Sequence, residues 1–167
     1  MMSKLFSLCS YVNGKVAVNS LVKTNYISTE NMLPNKGGVE RASTLPSMQY
    51  TQAYSKGDIL VSNIRPYFKK VWKAEFDGGC SNDVLVFRAN EGCDPTFLYY
   101  VLANDTFFDY ATATSKGTKM PRGDKTAIMQ YVVPDFDKIT QKRIGELLRG
   151  LDRRISTNRK INDNLAA

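Results

Sequence analysis

Alternation of apolar and polar residues runs through the first half of the chain and predicts a β-rich body. Residues 59–64 (ILVSNI) follow a turn at residues 56–58 and read as a strand. Residues 81–87 (SNDVLVF) end in an unbroken apolar run, which is typical of a strand buried on both faces. Residues 15–48 are dense in Asn, Ser, Thr and Gly and predict short strands and loops, with a turn at residues 33–38 (LPNKGG).

Prolines divide the rest of this region into elements. Pro66 cannot donate to a β-ladder, so residues 65–70 (RPYFKK) are expected to leave the sheet or to lie on its edge. Asp94 followed by Pro95 predicts a helix N-terminus, and the aromatic-rich run after it predicts one or two helices. These end before residues 115–125 (SKGTKMPRGDK), after which we expect a short strand from about Ile128 to Val133, ended by Pro134.

The pattern changes to a heptad spacing in residues 138–167. The residues on one seven-residue frame are Ile144, Leu151, Asn158 and Leu165, and those in flanking positions are Leu147, Leu148, Ile155 and Ile161. The stripe predicts a helix of about 45 Å, which either packs on its own domain or pairs with another helix. Its length, its heavily charged opposite face and a polar Asn158 in the seam favour pairing.

Charge is unevenly distributed along the chain. The net charge is +7 and the pI is about 9.3, which favours a polyanionic partner such as nucleic acid over an anionic membrane surface. Residues 138–167 hold eight basic and three acidic residues, which leaves a net charge of only +2 for residues 1–137. Within that part, residues 116–125 carry a net charge of +3 and residues 56–73 carry +4.

Residues that perform catalysis are scarce. The chain has no histidine, its 16 carboxylates are scattered, and it has no phosphate-binding glycine motif. Cys9, Cys80 and Cys93 form neither a zinc motif nor an even set for disulfides, so we expect three buried thiols in a reducing compartment and no bound metal. No stretch has the apolar length of a signal peptide core or a membrane span, and we expect a soluble, cytoplasmic protein with no membrane partner.

The ordered set of motifs resembles a known family. KGDILVSNIRPYFKKVW, GGCSNDVLVFRA, FLYYVL, SKGTKMPRGDKTAIMQYVVP and TQKRIGELLRGLDRRISTNRKIND follow one another across residues 27–164. Together they resemble the target recognition domain and spacer helix of type I restriction-modification specificity subunits. The resemblance implies an α+β chain: a mixed, β-rich recognition domain with a few helices at residues 1–136, then a long coiled-coil helix at residues 137–167.

The same resemblance implies a function without catalysis. Such subunits select the DNA sequence for modification subunits, which methylate adenine with S-adenosylmethionine, and for a restriction subunit. S-adenosylmethionine, ATP and magnesium are therefore expected only on partner subunits. Family members carry two recognition domains that each read half of a bipartite site, whereas this chain shows one, as a natural half-subunit, a gene fragment or a truncated chain would. We expect a homodimer, or pairing with a second half-subunit, through the C-terminal helix.

Three basic segments are the predicted contacts with double-stranded DNA. They are Lys116, Lys119, Arg122 and Lys125; Arg65, Tyr67, Lys69 and Lys70; and the turn with Asn35, Lys36 and Arg41. Lysines would contact phosphates and Arg122 would reach a guanine edge, unless Arg122 forms an internal salt bridge. Two other functions stay open: a magnesium-dependent enzyme acting on nucleic acid through Asp83, Asp58 or Glu40, and a coiled-coil adaptor whose body binds protein.

Overall fold

Two four-stranded sheets carry most of the β structure in residues 1–166, the part of the chain that the computed structural model describes. The strands are β1 (Met2–Lys4), β2 (Cys9–Tyr11), β3 (Lys15–Ala17), β4 (Tyr26–Ile27), β5 (Tyr50–Tyr54), β6 (Ile59–Ser62), β7 (Val71–Lys73), β8 (Gly78–Cys80), β9 (Val84–Ala89) and β10 (Val132–Pro134). The helices are α1 (Leu5–Leu8), α2 (Pro95–Leu102), α3 (Asp105–Ala113), α4 (Lys125–Met129) and α5 (Lys138–Ala166). The mixed α+β class predicted from the sequence is confirmed.

The central sheet has the antiparallel order β2-β9-β6-β7. The first four residues of β9 and all of β6 are buried, as expected for strands covered on both faces. One face packs against α2 and α3 around Phe87, Leu98 and Phe107. The other packs around Leu60 and Trp72 against part of a second sheet, of order β3-β5-β8-β4. The central sheet therefore separates two hydrophobic cores.

The segments around Pro66 and Pro95 follow the sequence prediction. Residues Pro66–Phe68 form a single 3₁₀ turn outside the sheet, between β6 and β7. Asp94 caps α2 by accepting hydrogen bonds from the backbone N–H groups of Thr96 and Phe97, both at 2.9 Å. A second helix, α3, follows after a cap at Asn104. All three cysteines are buried and free, as predicted.

The predicted strand at Ile128 to Val133 is wrong over most of its length, because α4 occupies residues 125–129. Asp124 accepts hydrogen bonds from the backbone N–H groups of Thr126 and Ala127, and this cap starts a helix that buries Ile128. Only β10 is extended, and it pairs with β1, so Pro134 lies at the end of a two-stranded ladder. The predicted strand at residues 59–64 likewise stops at Ser62.

The long helix α5 begins on the body and then leaves it. Gln141 and Gly145 are its buried residues, and both lie near the N-terminus of α2. The Gln141 side chain donates to the Phe136 carbonyl at 2.7 Å and accepts from the Asp94 N–H at 2.9 Å. From residue 149 to residue 166 every side chain is exposed. Within residues 1–166, no helix combines the length and the apolar character that crossing a membrane requires.

Candidate nucleic-acid interface

Backbone hydrogen bonds join two of the predicted DNA-binding segments. The Arg65 N–H donates to the Pro121 carbonyl at 2.8 Å, and the Gly123 N–H donates to the Asn63 carbonyl at 3.0 Å. A β-bridge between Ile64 and Arg122 completes the contact. The loop at residues 115–125 is therefore attached to the segment at residues 63–70.

The third segment is attached to the other end of residues 63–70. The Asn35 N–H donates to the Phe68 carbonyl at 2.9 Å, and the Lys36 N–H donates to the Lys69 carbonyl at 2.8 Å. Segments far apart in the sequence thus form one continuous area. We call residues 35–41, 63–70 and 115–125 the basic surface.

Left-handed backbone is concentrated on the basic surface. Four non-glycine residues of the described chain have positive φ, namely Asn35 (54°), Lys36 (61°), Arg65 (50°) and Lys69 (53°), and all four lie there. Such conformations cost of order 1 kcal/mol or more for residues with a Cβ, and they cluster at functional sites in proteins. The hydrogen bonds between the segments hold this conformation in place.

Asp105 joins two of the lysines from the first turn of α3. Its Oδ1 lies 2.8 Å from Lys36 Nζ and 3.1 Å from Lys69 Nζ. Hydrogen bonds from Lys36 and then Lys69 lower the pKa of the Asp105 carboxyl. One exposed carboxylate therefore pairs with two of the predicted DNA contacts and orients both, and the three side chains together keep a net charge of +1.

The loop at residues 115–125 is also held by ion pairs. Lys116 Nζ lies 2.6 Å from Asp124, and a guanidinium nitrogen of Arg122 lies 3.1 Å from Asp83. Lys116 and Arg122 also exchange two backbone hydrogen bonds, each of 2.9 Å. The geometry contains the internal salt bridge that was the alternative role for Arg122, while its side chain stays 57% exposed. Lys119 and Lys125 are exposed.

The residues around Pro66 combine cations with aromatic rings. Tyr67 and Phe68 are 47% and 40% exposed, and their ring centroids are 4.9 Å apart. Lys70 Nζ lies 5.8 Å from the Phe68 ring centroid and donates to the Thr29 carbonyl at 2.5 Å, and burial lowers the pKa of Lys70. Arg65 keeps a buried Nε without a hydrogen-bond partner among the described residues.

The three carboxylates of the alternative magnesium site do not all lie together. Asp83 and Glu40 line one cleft of about 320 Å³, together with Arg41. Asp58 lies outside this lining: it is buried and accepts two hydrogen bonds of 2.7 Å from the Arg88 guanidinium. Residues 1–166 contain no group of three or more histidine, cysteine, aspartate or glutamate side chains arranged to hold a metal ion.

Sequence reasoning missed the carboxylates that neutralise the basic surface. In the sequence, Asp105 falls within the aromatic-rich stretch that predicts helices, and Asp83 is a candidate only for the alternative magnesium site. Their partners Lys36 and Arg122 are distant in the chain, so no local pattern signals these pairs. The capping signal of Asp124, which ends the loop and begins α4, was present in the sequence.

Known proteins match the chain in sequence and in fold. No protein-family model matches it. The specificity subunit of the type I restriction enzyme EcoDI from Escherichia coli is 36% identical over 78 residues, which is 47% of this chain and 17% of that protein. The crystal structure of the HsdS subunit from Thermoanaerobacter tengcongensis matches with a TM-score of 0.73 at 21% identity, over 96% of this chain and 44% of that one. The chain has the fold of a type I specificity subunit.

Two further solved structures share the specificity-subunit fold. One comes from work on complex assembly and conformational transition of the type I restriction-modification system, with a TM-score of 0.72, 19% identity and coverage of 95% of this chain and 44% of that one. The other is the S subunit of Mycoplasma genitalium, with a TM-score of 0.64, 19% identity and coverage of 94% and 40%. The chain thus spans less than half the length of each specificity subunit that it matches.

Proposed function

We propose that the chain is a DNA-recognition component of a type I restriction-modification system, with no catalysis of its own. The observation that carries the proposal is the union of its three basic segments into one surface, on a fold that type I specificity subunits share. The basic surface would read one half of a bipartite DNA site. Modification and restriction subunits would be directed to that site and would hold S-adenosylmethionine, ATP and magnesium.

The contacts with DNA divide by side-chain type. Lys119 and Lys125, exposed near the tip and the end of their loop, would contact phosphates and confer salt-dependent affinity. Arg122 would reach the O6 and N7 atoms of a guanine if it exchanges Asp83 for the base edge. Tyr67 and Phe68 would lie against the sugar-phosphate backbone. Lys36 and Lys69 would meet phosphates only by leaving Asp105.

The exposed part of α5 would pair the chain with a partner helix. Leu151, Ile155, Ile161 and Leu165 are between 46% and 81% exposed, although each is apolar. Burying such a row against a second copy would stabilise a dimer. A homodimer would place two recognition domains on one DNA molecule and would make the site a palindrome with an unspecific spacer.

Methylome sequencing tests the proposed function directly. Cells with and without this gene would be compared for adenine methylation, and we expect one bipartite motif to lose its methylation when the gene is absent. A strain carrying the gene with Arg122→Ala serves as the residue-level comparison. It should keep methylation but relax the motif at one position, since one bidentate pair contributes about 1–3 kcal/mol of discrimination.

Two results would count against this function. An unchanged methylome after deletion would remove the role in directing methylation. Nuclease activity of the purified chain that is lost after dialysis against a chelator and restored with magnesium would favour the enzyme alternative instead.

A further inference from the structure

A second set of cations lies along one side of α5, away from the basic surface. Lys142, Arg149, Arg153 and Lys160 follow one another at intervals of seven, four and seven residues. At 3.6 residues per turn these positions fall within an arc of about 40°, and they extend over about 27 Å of the helix. All four are exposed. We call these residues the α5 cationic row.

The middle of the α5 cationic row faces the body across a cleft. Arg149 and Arg153 line this cleft of about 630 Å³ together with Lys56 and Lys73, and Glu75 is the carboxylate in its lining. None of these four cations forms an ion pair within 4.0 Å in the part of the chain that the structure describes. The cleft therefore carries an excess of positive charge.

Lys73 lies in an electrostatically unfavourable position in this cleft. It is half-buried, and its Nζ donates to the Thr96 hydroxyl at 2.8 Å. Burial lowers its pKa and Arg149 lowers it further, while Asp94 acts in the opposite direction. Arg149 and Arg153 are also one turn apart, where like charges repel. An anion bound in the cleft would relieve each of these penalties.

The contrast with the basic surface is informative. There, Lys36, Lys69, Lys116 and Arg122 form ion pairs with three carboxylates of the same chain. Along the α5 cationic row the neighbouring acids form no such pairs within residues 1–166. These acids are Glu146, Asp152 and Asp163 on the helix, of which Asp152 accepts a hydrogen bond from the Tyr100 hydroxyl, and Glu75 in the cleft. The cations of the row are therefore available to an external polyanion.

Two observations favour duplex DNA over an acidic protein as that polyanion. First, β7 starts directly after Lys70 of the basic surface and ends at Lys73 in the cleft. The backbones of these two lysines are about 10 Å apart along one strand, and their side chains lie on opposite faces of the sheet, at Thr29 and at Thr96. Second, the apolar residues Leu147 and Leu151 lie about 140–180° around α5 from the row. Protein interfaces have apolar centres that are depleted in lysine. The side of α5 with Leu147 and Leu151 therefore suits a protein partner, whereas the α5 cationic row suits phosphate groups.

We propose that the α5 cationic row, with Lys56 and Lys73, binds the phosphate backbone of duplex DNA outside the bases that the basic surface reads. This inference rests on the proposed function, in which α5 lies beside an unspecific spacer. Binding would involve phosphates only. It would therefore add affinity without adding sequence preference.

The test is a salt titration of DNA binding with two matched double variants. Arg149→Gln with Arg153→Gln removes two charges from the row, and Arg143→Gln with Arg154→Gln removes two from exposed positions about 100–120° away on the same helix. The full chain, with modification subunits added, is titrated against a random-sequence duplex and against one selected for binding. For the row variant, we expect the slope of log K against log salt to become shallower by about 1.8 on both duplexes, because two phosphate contacts are removed. The control variant should keep the wild-type slope.

The remaining outcomes separate this inference from the proposed function. A row variant with an unchanged slope, in a chain that still prefers its selected duplex, overturns the row and leaves the function standing. If the row variant keeps the wild-type slope but no longer co-purifies with the modification subunits, the row binds an acidic protein surface. That result also overturns the proposed DNA contact. A shallower slope on random duplex without any preferred sequence supports the row while the proposed function fails. Far-UV circular dichroism of both variants controls for loss of α5.

Discussion

At the residue scale, the basic surface is held together by its own carboxylates. Asp105, Asp124 and Asp83 together engage four cations that the sequence presents as free DNA contacts. Exposed ion pairs contribute little to stability, so their main effect here is on geometry and on phosphate affinity. In the proposed function, a phosphate would have to displace a carboxylate before it gains a contact, which would weaken binding to unselected DNA.

Removing the charge of Asp105 tests this effect. Asp105→Asn releases Lys36 and Lys69, and we expect the salt slope for random-sequence duplex to become steeper by about 1–2 as these lysines bind phosphates. Asp135→Asn is the matched control, because Asp135 is exposed and lies outside the basic surface. Equal slopes for the two variants would show that Asp105 does not restrain the lysines.

The cysteines give a second prediction at this scale. Burial raises the pKa of Cys9, Cys80 and Cys93 to about 12 each, so at pH 8 only about one thiol in ten thousand is the reactive thiolate. We expect no alkylation by iodoacetamide in the folded chain and three adducts per chain in denaturant, both counted by intact mass. Rapid labelling of the folded chain would contradict the buried placement.

At the element scale, the packing of α5 against α2 depends on one glycine. A Cβ on Gly145 would lie 3.0 Å from the Phe97 backbone nitrogen and 3.2 Å from the Thr96 Cβ, whereas a Cβ on Gly150 would meet nothing within 4 Å. Glycine itself disfavours a helix interior by about 1 kcal/mol relative to alanine. The close approach of α5 to α2 therefore explains why a glycine occupies position 145, but it does not explain the glycine at position 150.

The two glycines form a matched pair for mutation. Gly145→Leu should lower the free energy of unfolding by about 1–3 kcal/mol through overpacking at α2. Gly150→Leu should raise it by up to about 1 kcal/mol through helix propensity. Urea denaturation followed by circular dichroism measures both values. If both variants change the free energy of unfolding in the same direction, α5 does not pack on α2 through Gly145.

At the scale of the whole molecule, α5 has three different sides. One is buried against α2, one exposes an apolar row and one carries the cationic row. The heptad stripe spans the first two sides: Ile144 and Leu148 are partly buried on the body, while Leu151 and the later members are exposed. Packing on the chain's own domain thus accounts for the first part of the stripe, and only the exposed part is free for the predicted pairing with another helix.

Homodimerisation through the exposed part remains a prediction. Multi-angle light scattering of the purified chain should give the mass of two chains, and Leu151→Glu should shift it to one because it places a charge in the apolar row. Val22→Glu, at a 57% exposed loop position, controls for the added charge. If the wild-type chain has the mass of one chain at high concentration, the homodimer prediction is wrong. Pairing with a second half-subunit is then the remaining prediction for this helix.

Local signals were enough to predict several elements. The Asp94 and Pro95 pair predicted the start of α2, the apolar run predicted the buried β9, and the heptad spacing of residues 138–167 predicted the length of α5. The helix α4 was missed because its apolar residues also fit a short strand, and such short runs do not separate the two periods. The cap at Asp124 decides between them.

The sequence alone determined the β-rich first half, the long C-terminal helix, the concentration of charge and the positions of the basic segments, since each depends on composition or on neighbours a few residues apart. Only the tertiary structure decided which cations are paired, because Lys36 and Lys69 meet Asp105 across 69 and 36 positions of chain. It also decided that the three basic segments are contiguous and that Lys73 faces Arg149 across a cleft. Charge sets the magnitude of attraction to DNA, and long-range folding determines where that charge is left uncompensated.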